Sequence, residues 1–530
     1  MAVPSTKYHL VAVPSLTSYQ ALTALLALAV LPLTLSGCTG EAPAPALPPL
    51  PPKVAPVTLG ATGAVTPLRE LIVAFTGEVR GEIEACGCPT VPYGGFARRA
   101  RALDQLRAEG LPVFVLDAGE MLVRGQVATD PGNRPARARA VLALAGGVGL
   151  DAWAPAPVDL LAGGLGVFAG TDALAATWRD GAGGSLFPGA TVIERDGVRL
   201  GVVGVNAPAE GLAAADPVEA VRAAMAAAGP ADTWIALSNT SPTDALRVAE
   251  EVSGLGVVLS TRGGERDAPR ATKGATNLET PDRGRSLTVL RVSLASDGAN
   301  WHVVDGGTST DLARERERLT LLESEAARTA AAARIVALRA RLESEVAGHD
   351  VVLVEDRPLG SDLDGPSALD ARIEAFKART TASAQVRAAS EPEVAGYATA
   401  AACTTCHKER FNTWVLDPHA RAYEALLPRK QELNPECVSC HTTGWGEPGG
   451  NATLTDIAMR TYKGVQCEAC HGPAGGHPQR ADVVPHAATE ATCTTCHDEA
   501  NSPQFDFETY RKKISCTSVS QLEREAAERK

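Results

Sequence analysis

The stretch Cys403-Thr404-Thr405-Cys406-His407 carries a five-residue pattern, Cys-x-x-Cys-His, that occurs three more times before residue 498. The later copies are Cys437-Val438-Ser439-Cys440-His441, Cys467-Glu468-Ala469-Cys470-His471 and Cys493-Thr494-Thr495-Cys496-His497. The pattern is the attachment signature of c-type haem, because two thiols one helical turn apart bond one haem and the adjacent imidazole binds its iron. Zinc is the alternative, but structural zinc does not require a His after every second Cys. Four copies predict four covalent haems, with the following proximal iron ligands: His407, His441, His471 and His497.

Length and composition set limits on the rest of the chain. Its 530 residues exceed what one hydrophobic core supports, so two or more domains are expected. A hydrophobic content of 45% and a charged content of 21% are ordinary for soluble globular domains. The net charge of -12 gives no electrostatic reason to expect nucleic acid as a partner. Eight of the twelve cysteines belong to the haem motifs, and four remain: Cys38, Cys86, Cys88 and Cys516.

The first 65 residues have the features of an export signal and a spacer. An apolar run from Ala21 to Leu35, too short for a comfortable membrane span, predicts a secretory signal over 1–37. The end of the signal resembles the bacterial lipobox, which implies lipidation of Cys38; an ordinary signal peptide with a chance Cys is the alternative. Residues 38–65 form a Pro-rich tether without a core. We therefore expect a lipid-anchored protein of the periplasm or cell envelope, with the outer membrane favoured.

Residues 66–310 have the pattern of an α/β domain. Strand-like apolar runs alternate with Ala-rich helical stretches, and the runs are Leu71–Phe75, Val113–Leu116, Leu200–Val205 and Val257–Leu259. In order along the chain, Leu71 to Arg99, Leu116 to Glu120, Gly201 to Val205 and Trp234 to Asn239 resemble the 5'-nucleotidases of the calcineurin-like metallophosphoesterase superfamily. The resemblance implies a two-sheet sandwich flanked by helices.

The activity of that superfamily is not expected here, because its metal ligands are replaced. Its Asp-x-His-Gly motif corresponds to Glu78-Val79-Arg80-Gly81, its bridging Asp to Glu120 and its Asn-His pair to Pro157-Val158, and its two later His correspond to Asn239 and Arg262. Two-metal phosphoesterases bind both ions through imidazoles and carboxylates. Between His9 and His302 the chain contains no histidine. We therefore expect an inactive scaffold, with a ligand-binding role as the alternative.

Cys86-Gly87-Cys88 is the unusual feature of the α/β domain. A disulfide, between these two or from one of them to Cys516, suits an oxidising compartment. A metal site at Cys86 and Cys88 and a redox-active or free thiol pair are the other interpretations. Three remaining thiols cannot all pair, so the sequence leaves these alternatives open.

Residues 311–396 predict a helical linker. Apolar residues at steps of three, four or seven between Asp311 and Val346 indicate an amphipathic helix long enough for a coiled coil. A second helix is predicted over about Pro366 to Ala388. We expect a helical arm between the α/β domain and the haem motifs, with a dimer seam through 311–346 as a further option.

Residues 397–516 resemble the tetrahaem cytochrome c-554 family, and 517–530 form a tail. Besides the four motifs, the residues that carry the resemblance are Trp414 to Ala420, His441 to Trp445 and Cys467 to Pro473, followed by His477. The resemblance implies a mostly helical domain that transfers electrons in the periplasm, with most haems ligated by two histidines. It also places His477 as the distal ligand of the first haem.

The histidine count predicts one open iron. Beyond residue 397 there are seven His, whereas four bis-His haems need eight. The three that are not proximal, His419, His477 and His486, are the predicted distal ligands. Unless His302 or His349 contributes from outside, the haem on His441 lacks a second histidine. Met459 is the alternative ligand for that position.

Three functions follow from these features. An electron carrier is favoured, exchanging electrons with other redox proteins or with membrane quinol-linked cytochromes. A haem enzyme acting on a small nitrogen or oxygen species at the open iron is the first alternative. A scaffold whose α/β domain binds a ligand is the second.

Overall fold

The structure is a computed structural model, and most of the chain after residue 68 is described in it. The described ranges are 69–85, 92–123, 134–261, 270–271, 275–279, 282–294, 301–304, 307–345, 350–389 and 396–514, the last without 478, 481, 484, 498–500 and 503. The predictions for Cys38, Cys86, Cys88, Arg262, His349 and Cys516 lie outside these residues. Among the described helices, none is both long enough and apolar enough to cross a bilayer.

The strands lie between residues 69 and 358. They are β1 (Arg69–Thr76), β2 (Val113–Asp117), β3 (Ala152–Trp153), β4 (Trp178–Arg179), β5 (Ala190–Arg195), β6 (Val198–Val205), β7 (Ala213–Ala214), β8 (Thr233–Ser238), β9 (Leu255–Ser260), β10 (Arg270–Ala271), β11 (Thr276–Glu279), β12 (Ser286–Leu294), β13 (Trp301–Val304) and β14 (Asp350–Pro358).

The helices extend to the C-terminal region. They are α1 (Phe96–Arg107), α2 (Arg134–Gly147), α3 (Pro217–Ala228), α4 (Pro242–Glu251), α5 (Gly307–Leu321), α6 (Glu325–Glu345), α7 (Asp370–Ala388), α8 (Ala400–Cys403), α9 (Lys408–Trp414), α10 (Pro435–His441), α11 (Asp456–Tyr462), α12 (Cys467–His471), α13 (Glu490–Thr494) and α14 (Phe507–Lys513). Short 3-10 helices include Pro157–Ala162 and Pro418–Arg429.

Two sheets form the predicted sandwich. Within the described residues, the first sheet has the order β13-β14-β12-β1-β2-β3 and the second has the order β10-β11-β9-β8-β6-β5. Strand β1 pairs parallel with β2 and antiparallel with β12. In the second sheet, β8 lies between β6 and β9, parallel to both. The expectation of an α/β sandwich with a mostly helical C-terminal region is confirmed.

The alternation of side chains along β1 explains the layers. Leu71, Val73 and Phe75 are fully buried in the core between the two sheets, with residues of β6, β8 and β9. Ile72 and Ala74 point to the other face, against α1 and α2. Since successive strand residues face opposite sides, a strand buried on both faces is apolar throughout. Helices α3 and α4 cover the outer face of the second sheet in the same way.

The linker predicted over 311–396 differs from the structure in its first half. Two helices, α5 and α6, fold back on each other where one long coiled-coil helix was expected. Arg316 of α5 and Arg339 of α6 both pair with the buried Glu70 of β1. Strand β14 then pairs with β12 along eight residues and lies inside the first sheet. The α/β domain therefore continues past residue 310 to at least Pro358, because β12 would otherwise be left as an unpaired edge.

The second predicted helix, α7, connects two cores. Ile373 and Phe376 of its first half are buried with α1 and α2 of the α/β domain. Ala384 near its end is buried with Leu426 and Val438 of the C-terminal region. One continuous helix therefore packs against both parts of the chain.

The buried Arg291 of β12 connects three elements. It donates to Glu109, which follows α1, at 2.9 Å and to Glu355 of β14 at 3.1 Å. We expect Arg291→Met to lower the free energy of unfolding by about 3–5 kcal/mol, because Glu109 would stay buried without its cation. Urea denaturation of the purified protein measures the change.

The matched control is Arg247→Met. Arg247 also pairs with carboxylates, three in number, but it lies on the exposed surface of α4. Water screens such surface pairs, so this variant should unfold at nearly the wild-type urea concentration. Equal midpoints for the two variants would contradict the importance of the buried pair.

Candidate functional site

Each Cys-x-x-Cys-His motif lies on a short helix or directly after one. Helices α10 and α12 contain the second and third motifs completely, while α8 and α13 end within the first and fourth. Asn434 begins α10 by accepting a hydrogen bond from the Glu436 amide at 3.0 Å, and Pro435 occupies the first helical position. Helical spacing of three and four residues puts Cys437, Cys440 and His441 on one face, as attachment to one haem requires.

Four of the eight motif cysteines form two close pairs. The Cys403 thiol of the first motif hydrogen-bonds with Cys467 of the third, and Cys440 of the second hydrogen-bonds with Cys496 of the fourth. The pKa of Cys440 is raised well above its usual range, first by the hydrogen bond with Cys496 and then by burial. Attachment points of the first and third motifs, and of the second and fourth, therefore lie side by side.

The histidine rings are oriented by hydrogen bonds at Nδ1. Nδ1 of His441 lies 2.6 Å from the Ala422 carbonyl oxygen, and Nδ1 of His471 lies 2.8 Å from that of His486. Nδ1 of His477 is hydrogen-bonded to the Val483 carbonyl oxygen, and Nδ1 of His419 is hydrogen-bonded to the Asp417 carboxylate. Since a carbonyl oxygen only accepts, Nδ1 must donate the proton. The Nε2 lone pair is then left for a metal, as in other metal-binding histidines.

His419 and His497 are neighbours in space. Their ring centres are 6.0 Å apart. Imidazole binds metals at about 2 Å, so two rings on opposite sides of one ion have centres roughly 6 Å apart. The structure thus brings a predicted distal histidine to the proximal histidine of the fourth motif.

The C-terminal region has a small side-chain core. The core cluster there contains Ala384, Leu426, Val438, Trp445, Ala452 and Met459. Several large apolar side chains remain exposed, namely Val415, Leu416, Leu427, Leu433 and Ile457. The motif cysteines, the Nε2 atoms left by the Nδ1 hydrogen bonds and the small core together fit covalently bound haem.

Other candidate ligands lie apart from the motifs or in the core. Met459 is buried in the cluster with Val438 and Trp445, so its side chain packs as an ordinary core residue. His302 belongs to β13, an edge strand of the first sheet. Within the described residues, no group of three or more His, Cys, Asp or Glu is arranged to bind a metal ion.

Arg80 and two carboxylates form a cluster in two neighbouring loops. Arg80 pairs with Glu78 at 3.1 Å and with Glu120 at 3.4 Å. All three residues have positive φ, between 50° and 54°, in two loops joined by backbone hydrogen bonds. Three of the positions predicted to replace metal ligands therefore meet in space, and they hold a guanidinium with two carboxylates.

The buried Asp159 connects the same loops through backbone amides. Asp159 accepts hydrogen bonds from the backbone amides of Glu120, Leu122 and Ala156 at 2.8 to 3.0 Å. Burial raises its pKa to about 6 against these hydrogen bonds. Asn239 joins the same region by donating to the Ala154 carbonyl at 2.9 Å. Pattern reasoning missed Asp159, which lies one residue beyond Val158, because no motif marks a carboxylate that serves backbone amides.

The contacts between the α/β domain and α10 were also missed. Arg137 of α2 pairs with Glu436, and Glu84 accepts a hydrogen bond from the Asn434 amide at 2.6 Å. Glu84 and Asn434 are 350 residues apart, so no local pattern connects them. The loop that contains Glu84 therefore lies against the first turn of α10, directly before the second Cys-x-x-Cys-His motif.

The Cys-x-x-Cys-His motifs and the histidine geometry fit a c-type cytochrome region that is joined to an α/β sandwich. Residues 402–472 match the model of the family described as cytochrome c554 and c-prime. Cytochrome c-554 of Nitrosomonas europaea is 37% identical over 86 residues, which are 13% of this chain and 36% of the relative. The chain thus spans about a third of the length of that relative. The predicted resemblance is confirmed, and the matches support a c-type cytochrome role.

Solved structures similar to the N-terminal part include a calcineurin-like phosphoesterase, a sulfate thiohydrolase and a 5'-nucleotidase precursor. The calcineurin-like phosphoesterase YfkN of Bacillus subtilis is 13% identical, with a TM-score of 0.41 over 59% of this chain and 98% of that chain. The sulfate thiohydrolase SoxB of Thermus thermophilus is 17% identical, with a TM-score of 0.41 over 59% of this chain and 61% of that chain. The 5'-nucleotidase precursor of Thermus thermophilus is 19% identical, with a TM-score of 0.35 over 42% of this chain and 51% of that chain.

Asp117, the last residue of β2, is expected to make the stability of the fold depend on pH. Burial raises its pKa to about 7, against hydrogen bonds from the Gly119 amide and the Thr76 hydroxyl. The folded protein therefore retains a proton that the unfolded chain releases at lower pH. This contribution to the free energy of unfolding is present at low pH and is lost as pH rises through about 7.

We expect Asp117→Asn, which is neutral at every pH, to weaken this dependence. Urea denaturation at pH 5, 6, 7 and 8 compares the variant with the wild type. The wild type should lose more stability than the variant between pH 5 and 8. Parallel pH profiles for the two proteins would contradict the raised pKa.

Proposed function

We propose that this protein is a tetrahaem c-type cytochrome that transfers electrons between redox partners outside the cytoplasm. The observation that carries the proposal is the Nδ1 hydrogen bonding of the motif histidines His441 and His471, which leaves Nε2 for a metal beside the motif cysteines. Haem supplies one-electron oxidation and reduction when it is bound.

Two groups of residues are proposed to bind the haems, namely the motif cysteines and the motif histidines. The proposed thioether bonds involve Cys403, Cys406, Cys437, Cys440, Cys467, Cys470, Cys493 and Cys496. The proximal ligands are His407, His441, His471 and His497. Side-by-side thiols of the first and third motifs and of the second and fourth support two close pairs of attachment sites. Such proximity favours fast electron exchange within each pair.

The distal ligands can now be assigned more narrowly. The 6.0 Å between ring centres supports His419 as partner of His497 at the fourth motif. With His477 proposed for the first motif, His486 is left for the third by elimination. The His486 carbonyl oxygen lies 2.8 Å from Nδ1 of His471, and Nε2 of His486 lies beside Gly472, so His486 is a neighbour of the third motif.

Anchoring and partners follow from the sequence. We propose that a lipid on Cys38 holds the protein to the envelope, with 38–65 as a spacer. Soluble redox proteins or membrane quinol-linked cytochromes would exchange electrons with the haems. Helices α5 and α6 cover the first sheet of their own chain, so a dimer through 311–346 would use their outer faces. No phosphoester hydrolysis is expected, because Arg80 stands at the former metal position.

A second candidate function rests on the histidine count. Seven His after residue 397 leave one haem without a second imidazole, and the haem on His441 is the one proposed to be open. An open iron would bind a small nitrogen or oxygen species. Met459 is the competing ligand for this position, because its side chain is buried in the cluster that contains Val438 of the second motif.

The haem count tests the main proposal. Protein produced with a cytochrome c maturation system should carry four haems by intact mass. Cys437→Ser/Cys440→Ser should carry three, because one pair of thioether bonds can no longer form. Cys467→Ser/Cys470→Ser is the matched control and should lose one different haem. Native protein that contains zinc and no haem would refute the proposal.

Spectroscopy tests the open iron. The reduced protein should change its absorption spectrum on addition of carbon monoxide, because a five-coordinate ferrous haem has a free position. The oxidised protein should show a high-spin signal in electron paramagnetic resonance. Both signals should disappear in Cys437→Ser/Cys440→Ser and persist in Met459→Leu. Low-spin signals alone, without a response to carbon monoxide, would leave a carrier with every haem closed.

A further inference from the structure

The α/β domain contacts the second haem motif through the face that carries its degenerate metal site. We call this surface the docking face and define it by Gly81, Glu84 and Arg137. Its partner is the first turn of α10, namely Asn434 and Glu436, directly before Cys437. The loop of the former metal motif is therefore opposite a haem-attachment helix.

Arg137 is bonded on both sides of this contact. Its guanidinium donates to the Gly81 carbonyl at 3.1 Å and forms an ion pair with Glu436. The Arg137 and Glu436 side chains are only 13% and 18% exposed, so water screens the pair weakly. Gly81 has φ of +74°, and a Cβ there would lie 2.9 Å from the Leu122 carbonyl oxygen and 3.0 Å from Cδ of Arg137. A glycine therefore suits both the backbone of this loop and the close approach of Arg137.

Glu84 makes a second connection three residues further along the loop. One carboxylate oxygen accepts from Nζ of Lys377 on α7 at 3.1 Å, and the other accepts from the Asn434 amide at 2.6 Å. Asn434 is the N-cap of α10, so the α/β domain holds the residue that starts the helix. Glu84 thus holds the first turn of α10 in position, and Arg137 pairs with the charge of Glu436 in that turn.

We propose that the docking face is a binding site for α10, and that Arg137 is a positioning residue that raises the reduction potential of the haem on this helix by neutralising Glu436. The inference rests on the proposed haem attachment at Cys437 and Cys440. In this role the α/β domain acts on the haem through a charge pair and needs no substrate of its own.

The direction of the effect follows from charge. Oxidised haem carries one more positive charge than reduced haem, so an unpaired carboxylate nearby favours the oxidised form and lowers the potential. An unpaired guanidinium does the opposite. A partly buried charge beside the haem should change the one-electron equilibrium constant on the order of tenfold, which corresponds to about 59 mV.

The test is a double-mutant cycle followed by spectroelectrochemical titration of the full-length holoprotein. Arg137→Gln should lower one of the four reduction potentials, by an amount that corresponds to an about tenfold change in the one-electron equilibrium constant. Glu436→Gln should raise the same potential. The double variant should return near the wild-type value. Arg137→Lys, which retains the cation, should stay closer to the wild type than Arg137→Gln. The transition that is absent in Cys437→Ser/Cys440→Ser identifies the haem concerned.

The matched control is Arg195→Gln, which removes an arginine that pairs with Asp151 inside the α/β domain. It should leave all four potentials unchanged. Four haems with unchanged potentials in Arg137→Gln and Glu436→Gln would refute this inference alone. Equal shifts in Arg137→Gln and Arg137→Lys would also refute it, because the charge would then be irrelevant. Absence of haem by mass would refute the proposed function and this inference together.

Discussion

Helix α7 is buried in two cores at once, and the arrangement of the chain depends on this double burial. Its first half contributes Ile373 and Phe376 to the α/β core, and its last turns contribute Ala384 to the small core of the C-terminal region. Arg387, one turn further, donates to the Gly446 carbonyl at 3.2 Å. A helix held at both ends by packing cannot tilt without opening apolar surface to water. It therefore fixes the α/β face against which α10 lies.

Charge pairing and backbone hydrogen bonds together hold the loops around Arg80. Arg80 supplies the positive charge between Glu78 and Glu120, and Asp159 anchors the adjoining loop through three backbone amides. Positive φ at three non-glycine residues is unfavourable and persists only where surrounding bonds enforce it. The loops thus retain their shape, and that shape now supports contacts with the second haem motif.

The C-terminal region is stabilised by different means from the sandwich. Its side-chain core is small, several large apolar groups face outward, and its helices are short. Caps such as Asn434 and Asp417 satisfy helix N-termini, and carbonyl oxygens orient the histidine rings. Short helices of this kind are marginal alone, so covalent haem is the component that the fold is arranged to receive.

The haem attachment motifs and the local secondary structure could be predicted from the sequence. The spacing of Cys437, Cys440 and His441 predicts haem attachment because the bonds involve contiguous residues, and β1 is recognisable because a strand buried on both faces is apolar throughout. Only the tertiary structure showed that α5 and α6 pack on each other, since two packed helices have the same periodicity as one coiled-coil helix. It alone placed β14 in the first sheet and brought Arg137 to Glu436. Such pairings depend on which surfaces pack together, and that depends on the whole chain rather than on any one segment.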